Sequence, residues 1–194
     1  MSGSSQFIDK LRTCGKGKAY LIGSKAIIFD VPFARCIFSK GYFGKPVGIR
    51  KPKTTEINEP IELSLLEVLY LAEAGIVDVY EGERKLSIDE LKNLAKSVMP
   101  SFDNLYPIYK ELRSRGLTVR SALKYGADFA IYKTRPGLEH APFIVKVISY
   151  SESIDPGDLV GWGRVAHSVR KYLLLAVTYP SNEWKYIMFK WLRP

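Results

Sequence analysis

Two cysteines and two histidines are all the thiols and imidazoles that this chain of 194 residues holds. Cys14 and Cys36 stand far apart, with no second pair near either. They make neither a disulfide framework nor a zinc site, and they read as two ordinary buried or half-buried thiols. His140 and His167 belong to no cluster of Cys, His and carboxylates with metal-ligand spacing. No structural metal and no cofactor are therefore expected, although a magnesium held by carboxylates leaves no such signature. Long apolar runs are missing too: none approaches the roughly 20 residues that span a bilayer. The start, "MSGSSQFIDKLRTCGKG", lacks the apolar core of a secretory signal. The expected setting is the cytoplasm, away from any membrane.

Acidic residues are in short supply. The chain carries 29 Lys and Arg against 20 Asp and Glu, a formal net charge of +9. Such a surplus concentrates a polyanion near the surface and speeds encounter with it. Nucleic acid is the first reading; a basic face for a protein partner is the second. Charge alone separates neither DNA from RNA nor a binder from an enzyme. Hydrophobic residues at 46% and charged residues at 25% are the balance of a folded protein, long enough for one large domain or two small ones.

The first sixty residues read as short strands joined by turns. "KAYLIGSKAIIFD" has two apolar runs around Gly23-Ser24, a hairpin pattern, and "ARCIFSKGYFG" adds another strand and a turn. The stretch 40–56 reads as a basic loop with Lys40, Lys45, Arg50, Lys51 and Lys53. Tyr42 and Phe43 stand beside these cations, a mixture able to hold phosphates and stack bases, or to serve only as a solvated connector. From Ile61 the period becomes helical, with Ser64 as N-cap and Gly75 as stop. "IVDVYEG" follows as a strand, then "SIDELKNLAKSVMP", a helix opened by a Ser87/Glu90 capping box, then "SFDNLYPIYKELRSRG", a helix containing Pro107. After Gly116 strands dominate: "LTVRSALKYGADFAIYK", "PFIVKVISY", "YLLLAVTYP" and "EWKYIMFKWLRP". One helix, Pro156 to Lys171, lies between the second and third of these. The boundary between halves falls between about residue 100 and residue 117, giving domains 1–103 and 104–194.

Two places carry chemistry. On a helical wheel Arg164, His167, Ser168 and Lys171 share one polar arc, opposite Trp162, Val165, Ala166, Val169 and Leu173. Arg164 and Lys171 would stand about 10 Å apart along the axis, a spacing for successive nucleotides. Cations near a helix C-terminus also simply complement its dipole. Upstream, alternation places Asp128, Ala130 and Tyr132 on one strand face, and a turn at Pro136-Gly137 leads to His140, eight residues beyond Tyr132. A proton acceptor, a proton donor and a fixed cation are what cleavage of RNA needs without a metal, because RNA brings its own nucleophile, the 2′-hydroxyl.

At these residues the chain resembles the catalytic subunits of tRNA-splicing endonucleases, the archaeal ones in particular. The family's strand G-x-x-F-x-x-Y is matched by Gly126, Phe129 and Tyr132, with His140 after a Pro-containing loop. Its helix pattern R-x-x-H-x-x-R-K is matched by Arg164, His167, Arg170 and Lys171, followed by "LLLAV". The resemblance implies Tyr132 as general base, His140 as general acid, Lys171 as transition-state stabiliser and Arg164 as a clamp on a flipped base. For the clamp's second member this chain offers Trp184, Lys185 and Tyr186 where the family often has an Arg. The basic stretch around Lys45 looks like the extra loop of crenarchaeal members.

The resemblance also implies a fold and partners. The amino-terminal half should be a small α+β domain of helices on an antiparallel sheet, and the carboxy-terminal half an α/β restriction-endonuclease-like domain without its metal-binding carboxylates. The substrate would be precursor tRNA and other RNA with a bulge–helix–bulge. Crenarchaeal members pair a catalytic with a structural subunit as a dimer of heterodimers. Homotetrameric members dock an acidic loop into a neighbour; "TYPSNEWKY" has only Glu183 there, which points to a partner supplying that loop. Two rivals stand: a non-catalytic RNA-binding subunit of the same complex, and a metal-dependent DNA nuclease using Lys146 and Glu152.

Overall fold

Strands of the amino-terminal half alternate buried with exposed side chains, and that alternation sets the architecture. A computed structural model of the chain describes residues 2–138 and 140–190, with side chains from Gln6 onward. Two compact units emerge: Met1–Phe102 with Ser114–Gly116, and Asp103–Arg113 with Leu117–Pro194. The last residues of the sequence-predicted final strand, 191–194, lie outside the described residues.

The first unit runs α1 (Ser2–Arg12), β1 (Gly17–Ile22), β2 (Lys25–Ile28), α2 (Val31–Gly41), β3 (Lys45–Pro46), β4 (Ile61–Ser64), α3 (Leu65–Glu73), β5 (Val77–Glu81), β6 (Arg84–Lys85) and α4 (Ile88–Val98). Its six strands lie in the order β3-β4-β2-β1-β5-β6. Ala19, Ala26, Ile28, Leu63, Val77 and Val79 point to one face and are at most 2% exposed. The other face carries a row that crosses every strand in register: Lys45, Glu62, Ile27, Tyr20, Tyr80 and Lys85. The sheet is mixed rather than antiparallel, because β1 and β5 run parallel. After α3 the chain turns at Gly75, in left-handed backbone at φ +71°, and Gly17 N–H donates to the Ile76 carbonyl, so β5 enters beside β1 in the same direction.

The first sixty residues hold two helices where short strands were expected. In α2 the Asp30 carboxylate caps the Phe33 N–H, Pro32 opens the first turn, and Phe33, Ala34, Ile37, Phe38 and Gly41 form one buried stripe. The β-prone residues of "ARCIFSKGYFG" mask that stripe from a propensity reading. Tyr42 caps the helix in left-handed backbone at φ 52°. It is 7% exposed, and Phe43 is 0% exposed between the rings of Phe7 and Tyr70. Both expected stacking aromatics are thus core residues, while Lys45, Arg50, Lys51 and Lys53 are exposed. Glu67 fixes this connection. Its carboxylate accepts from Gly44 N–H at 2.9 Å, and from Ser64 N–H and Ser64 hydroxyl, each at 2.9 Å. A Cβ on Gly44 would meet the Glu62 carbonyl at 2.9 Å, which is why glycine stands there.

The cysteines are also not two thiols. Cys14, just past α1, and Cys36, inside α2, form a disulfide across a separation of 22 residues. Their sequence spacing carries no sign of this; the packing of α2 against α1 brings them together.

The second unit runs α5 (Phe102–Ser114), β7 (Thr118–Ser121), a 3-10 turn (Leu123–Tyr125), β8 (Phe129–Tyr132), β9 (Phe143–Ser149), α6 (Pro156–Ser168), β10 (Tyr172–Thr178) and β11 (Trp184–Phe189), in sheet order β11-β10-β9-β8-β7. Only β9 and β10 are parallel, joined through α6. β9 is buried on both sides, as the centre of a covered sheet must be. One face meets α5: Asn104 accepts from the Thr178 hydroxyl at 2.8 Å, Glu111 from the Tyr186 hydroxyl at 2.7 Å, and Tyr109 lies 5.9 Å from Phe129. The opposite face, with Ala130, Ile144, Ile148, Leu173 and Leu175, meets Ala166, Leu159 and Trp162 of α6.

Closing a loop of this length restricts the unfolded chain by about 3 kcal/mol. The Cys14→Ser, Cys36→Ser double variant should lose about that much stability in denaturant titration, and a reductant should have the same effect on the wild type but none on the variant.

Candidate active site

Strand register decides what meets at the edge of the second sheet. The β8–β9 ladder ends on the pair Ile131 and Phe143, and the β9–β10 ladder begins on Phe143 and Tyr172. One residue further out, Tyr132, Pro142 and Lys171 follow each other across three strands. Tyr172 N–H donates to the Pro142 carbonyl at 2.9 Å, which carries the alignment to that outer row. Tyr132 and Lys171 thus share the α6 side of the sheet, with Cα atoms about 10 Å apart at ordinary strand spacing. Thr118 of β7 stands opposite Tyr132 on its other side.

Tyr132 is half-buried and packs against the cluster under α6. Lys171 is half-buried and donates from Nζ to the Ala141 carbonyl at 2.7 Å. His140, the residue before that carbonyl, is exposed. The Lys171 ammonium is therefore tied to the backbone next to the histidine, and the tyrosine is one strand away. The structure brings the three expected residues to one end of one sheet.

Lys171 does not sit on the helix. α6 ends at Ser168, Val169 caps it, and Arg170 reverses the chain in left-handed backbone at φ 55°. The wheel that set Lys171 two turns from Arg164 is overturned: Lys171 N–H donates to the Ala166 carbonyl at 2.8 Å and the residue opens the path into β10. The basic pattern and the apolar strand after it run without a sequence break, which hides this junction. The buried side of α6 is also narrower than the wheel drew it, because Val165 is 37% exposed. Arg164 and His167 are exposed on the helix. Leu159, Gly163, Ala166 and Leu173, together with His167, Arg170, Lys171 and Lys190, line an open cleft of about 610 Å³.

Trp184 and Tyr186 stand apart from Arg164. They pair with Thr178 and Ala176, so they share the α5 face, and Tyr186 spends its hydroxyl on Glu111. Arg164 belongs to α6 on the other face. A clamp made of Arg164 and either aromatic is not formed on one face of one chain. Lys45 lies in the first unit, opposite Glu62 in the sheet.

The carboxylates of the rival nuclease reading are not assembled. Glu152 accepts from Ser149 N–H at 3.3 Å within its own turn. Lys146 lies 3.5 Å from the Asp128 carboxylate, which also accepts from Val147 N–H at 2.7 Å, and 5.8 Å from the Trp162 ring. Two residues before Lys146, the adjacent same-face position of its strand is Ile144, fully buried. Among the described residues no three His, Cys, Asp or Glu side chains group as metal ligands.

The sequence reading passed over Lys124 and Tyr125. The Tyr125 ring lies 4.7 Å from Lys124 Nζ and 5.8 Å from Lys171 Nζ. The Lys124 ammonium is held above the ordinary lysine value, first by its hydrogen bond with Tyr125, then by charge interaction with Tyr125 and Tyr132. Their place one turn before the G-x-x-F-x-x-Y strand was the available signal.

If Lys171 braces this edge, Lys171→Met should loosen it apart from any effect on chemistry. The Tyr172 amide should exchange with solvent about tenfold faster, matching loss of a hydrogen bond worth about 1.4 kcal/mol; exchange in the centre of β10 should not change.

Residues 102–186 match the family model for the catalytic C-terminal domain of tRNA intron endonucleases, and residues 17–92 match the model for the N-terminal domain. A tRNA-splicing endonuclease of Hyperthermus butylicus is 46% identical over 179 residues, 91% of this chain and 99% of that relative. One from Saccharolobus islandicus is 46% identical over 179 residues, covering 91% and 98%. One from Sulfolobus acidocaldarius is 44% identical over 175 residues, covering 89% and 97%. With both halves matched and relatives aligned nearly end to end, the chain belongs to the tRNA intron endonuclease family.

Proposed function

We propose that this chain is a catalytic subunit that cuts introns from precursor tRNA. The observation that carries the reading is the row Tyr132, Pro142, Lys171, with His140 beside the carbonyl that holds the lysine. Tyr132 takes the proton from the 2′-hydroxyl at the cut. The freed 2′-oxygen attacks the adjacent phosphorus, and the bond from phosphorus to the 5′-oxygen breaks. Lys171 stabilises charge on the non-bridging oxygens. His140 gives a proton to the leaving 5′-oxygen. One product ends in a 2′,3′-cyclic phosphate and the other in a 5′-hydroxyl, so atoms and protons balance.

The finer features of the reading follow the same chemistry. Residues 104–194 act as a restriction-endonuclease-like catalytic domain and 1–103 as the accessory α+β domain. The substrate is recognised through a bulge–helix–bulge, whose unstacked bases and fixed spacing offer shape rather than sequence. The exposed Arg164 stacks on one flipped base, worth roughly 1–3 kcal/mol. Lys45 meets phosphates near the cut. Trp184 and Tyr186, on the α5 face, contact RNA only where a second subunit sets that face beside the substrate. The assembly is a dimer of heterodimers with a structural subunit, and Glu183 alone is a poor acidic plug for a neighbour. No helix among the described residues is long and apolar enough to cross a membrane; the cytoplasm is the proposed site of action.

A bulged RNA cut in excess EDTA, with a cyclic phosphate on the upstream product, is the expected result; cleavage that returns only with magnesium favours the nuclease that uses Lys146 and Glu152. His140→Ala should slow single-turnover cleavage about 100- to 10,000-fold, the usual worth of a placed acid, while RNA affinity stays within about twofold. Equal loss of binding and cleavage would contradict the acid role. Arg164→Ala should lower the preference for bulged over plain duplex RNA in competition binding, and an unchanged preference removes the stacking contact.

A further inference from the structure

The turn between β7 and β8 is built more firmly than a connector requires. Ala122 N–H donates to the Asp128 carbonyl at 3.1 Å and Tyr125 N–H to the Ala122 carbonyl at 2.7 Å, closing the neck. Gly126, at φ +68°, allows the reversal. Ala122 and Ala127, 0% and 3% exposed, belong to the buried cluster against which both Tyr125 and Tyr132 pack. The two tyrosines therefore have fixed places on one core, and Lys124 is carried at the rim.

The Tyr125 ring stands within cation–π range of two ammonium groups, those of Lys124 and Lys171. Two cations brought together repel; an aromatic ring shared by both turns its electron-rich face to each and offsets that repulsion. Lys171 is already committed to the Ala141 carbonyl. Lys124 has no such backbone anchor in the hydrogen bonds described, and its raised proton affinity has Tyr132 among its causes. A free tyrosine loses its proton near pH 10, so at neutrality only about one phenol in a thousand is ready to act as a base. A cation close to the phenol is the elementary remedy.

We propose that Lys124 and Tyr125 are positioning residues for proton removal: Tyr125 holds the Lys124 ammonium at the rim of the core that also carries Tyr132, and apart from Lys171. The proposal rests on the reading of Tyr132 as general base. It divides the labour between two lysines. Lys171 faces the phosphate; Lys124 readies the base. Among the described residues, other titratable and charged groups near Tyr132 in the sheet or the chain include Arg120 on the same face of β7, His140 from the following loop, and Lys133, which follows it on the opposite side of the strand. Asp128, on the same face of the chain, is taken by Val147 N–H and Lys146.

The test is the pH dependence of single-turnover cleavage of a bulged RNA by the full chain in its active assembly. Wild type is compared with Lys124→Ala, Lys124→Arg, Tyr125→Leu and Tyr132→Phe, with RNA affinity measured in parallel. The rising limb of the Lys124→Ala profile should move up by about one pH unit. Cleavage then falls about tenfold at neutral pH and approaches the wild-type rate in alkali, because each pH unit is tenfold in the fraction of ready base. Tyr125→Leu should move the limb the same way, and Lys124→Arg should restore it. A uniform loss at every pH, or a loss explained by weaker RNA binding alone, makes Lys124 a phosphate contact and overturns the proposal while leaving the base in place. A Tyr132→Phe enzyme that cuts at the wild-type rate removes the base reading itself, and the proposal with it.

Discussion

The edge of the second sheet depends on one hydrogen bond, from the Lys171 ammonium to the Ala141 carbonyl. A charged donor on a backbone acceptor is stronger than a neutral pair, and this one joins two places that the chain reaches by separate routes. Ala141 arrives after an irregular stretch that includes Pro136 and Gly137; Lys171 arrives after a helix and a left-handed reversal at Arg170. The parallel pairing of β9 with β10 and the antiparallel pairing of β8 with β9 then set the register, and the register sets which side chains share a face. A slip of one residue in β8 would turn Tyr132 to the α5 face. The buried pairs Ala130 with Ile144 and Ile144 with Leu173 oppose that slip, because it would expose apolar side chains.

Much of this was legible in the sequence where local chemistry is self-sufficient. The Ser87/Glu90 capping box formed as expected, and Glu90 is pulled down to about 2 by the Ser87 backbone N–H first and by Arg84 and the Ser87 hydroxyl next. Ser64 caps α3, the Gly23-Ser24 turn joins β1 to β2, and α5 accommodates Pro107. The alternation that put Tyr132 with Ala130 on one face is the one observed.

What the sequence concealed depends on contacts between distant residues. The α2 stripe uses Phe, Ile and Cys, which fit strands as well as helices, so only its Asp30 cap and packing decide the case. Phe43 looks like an exposed aromatic among lysines until Phe7 and Tyr70 close over it. The disulfide needs α1 and α2 folded before its partners are neighbours. At the site, a wheel extends a helix for as long as the polar pattern lasts, and nothing in "HSVRKY" announces that α6 stops at Ser168. Family resemblance named Tyr132, His140 and Lys171; it did not name Lys124 and Tyr125, which become visible only when the turn before β8 is set against Lys171.

The proposed cleavage requires three side chains to meet a single linkage in RNA. The most direct measurement is a crystal structure of the active assembly with a bulged RNA carrying a 2′-deoxy nucleotide at the cut, which binds but has no nucleophile. The Tyr132 phenol should face the 2′ position, with the His140 imidazole and the Lys171 ammonium each within about 3 Å of the 5′-oxygen and a non-bridging oxygen of the same phosphate. A cut-site phosphate held away from that sheet edge, or the three side chains spread over different phosphates, would contradict it.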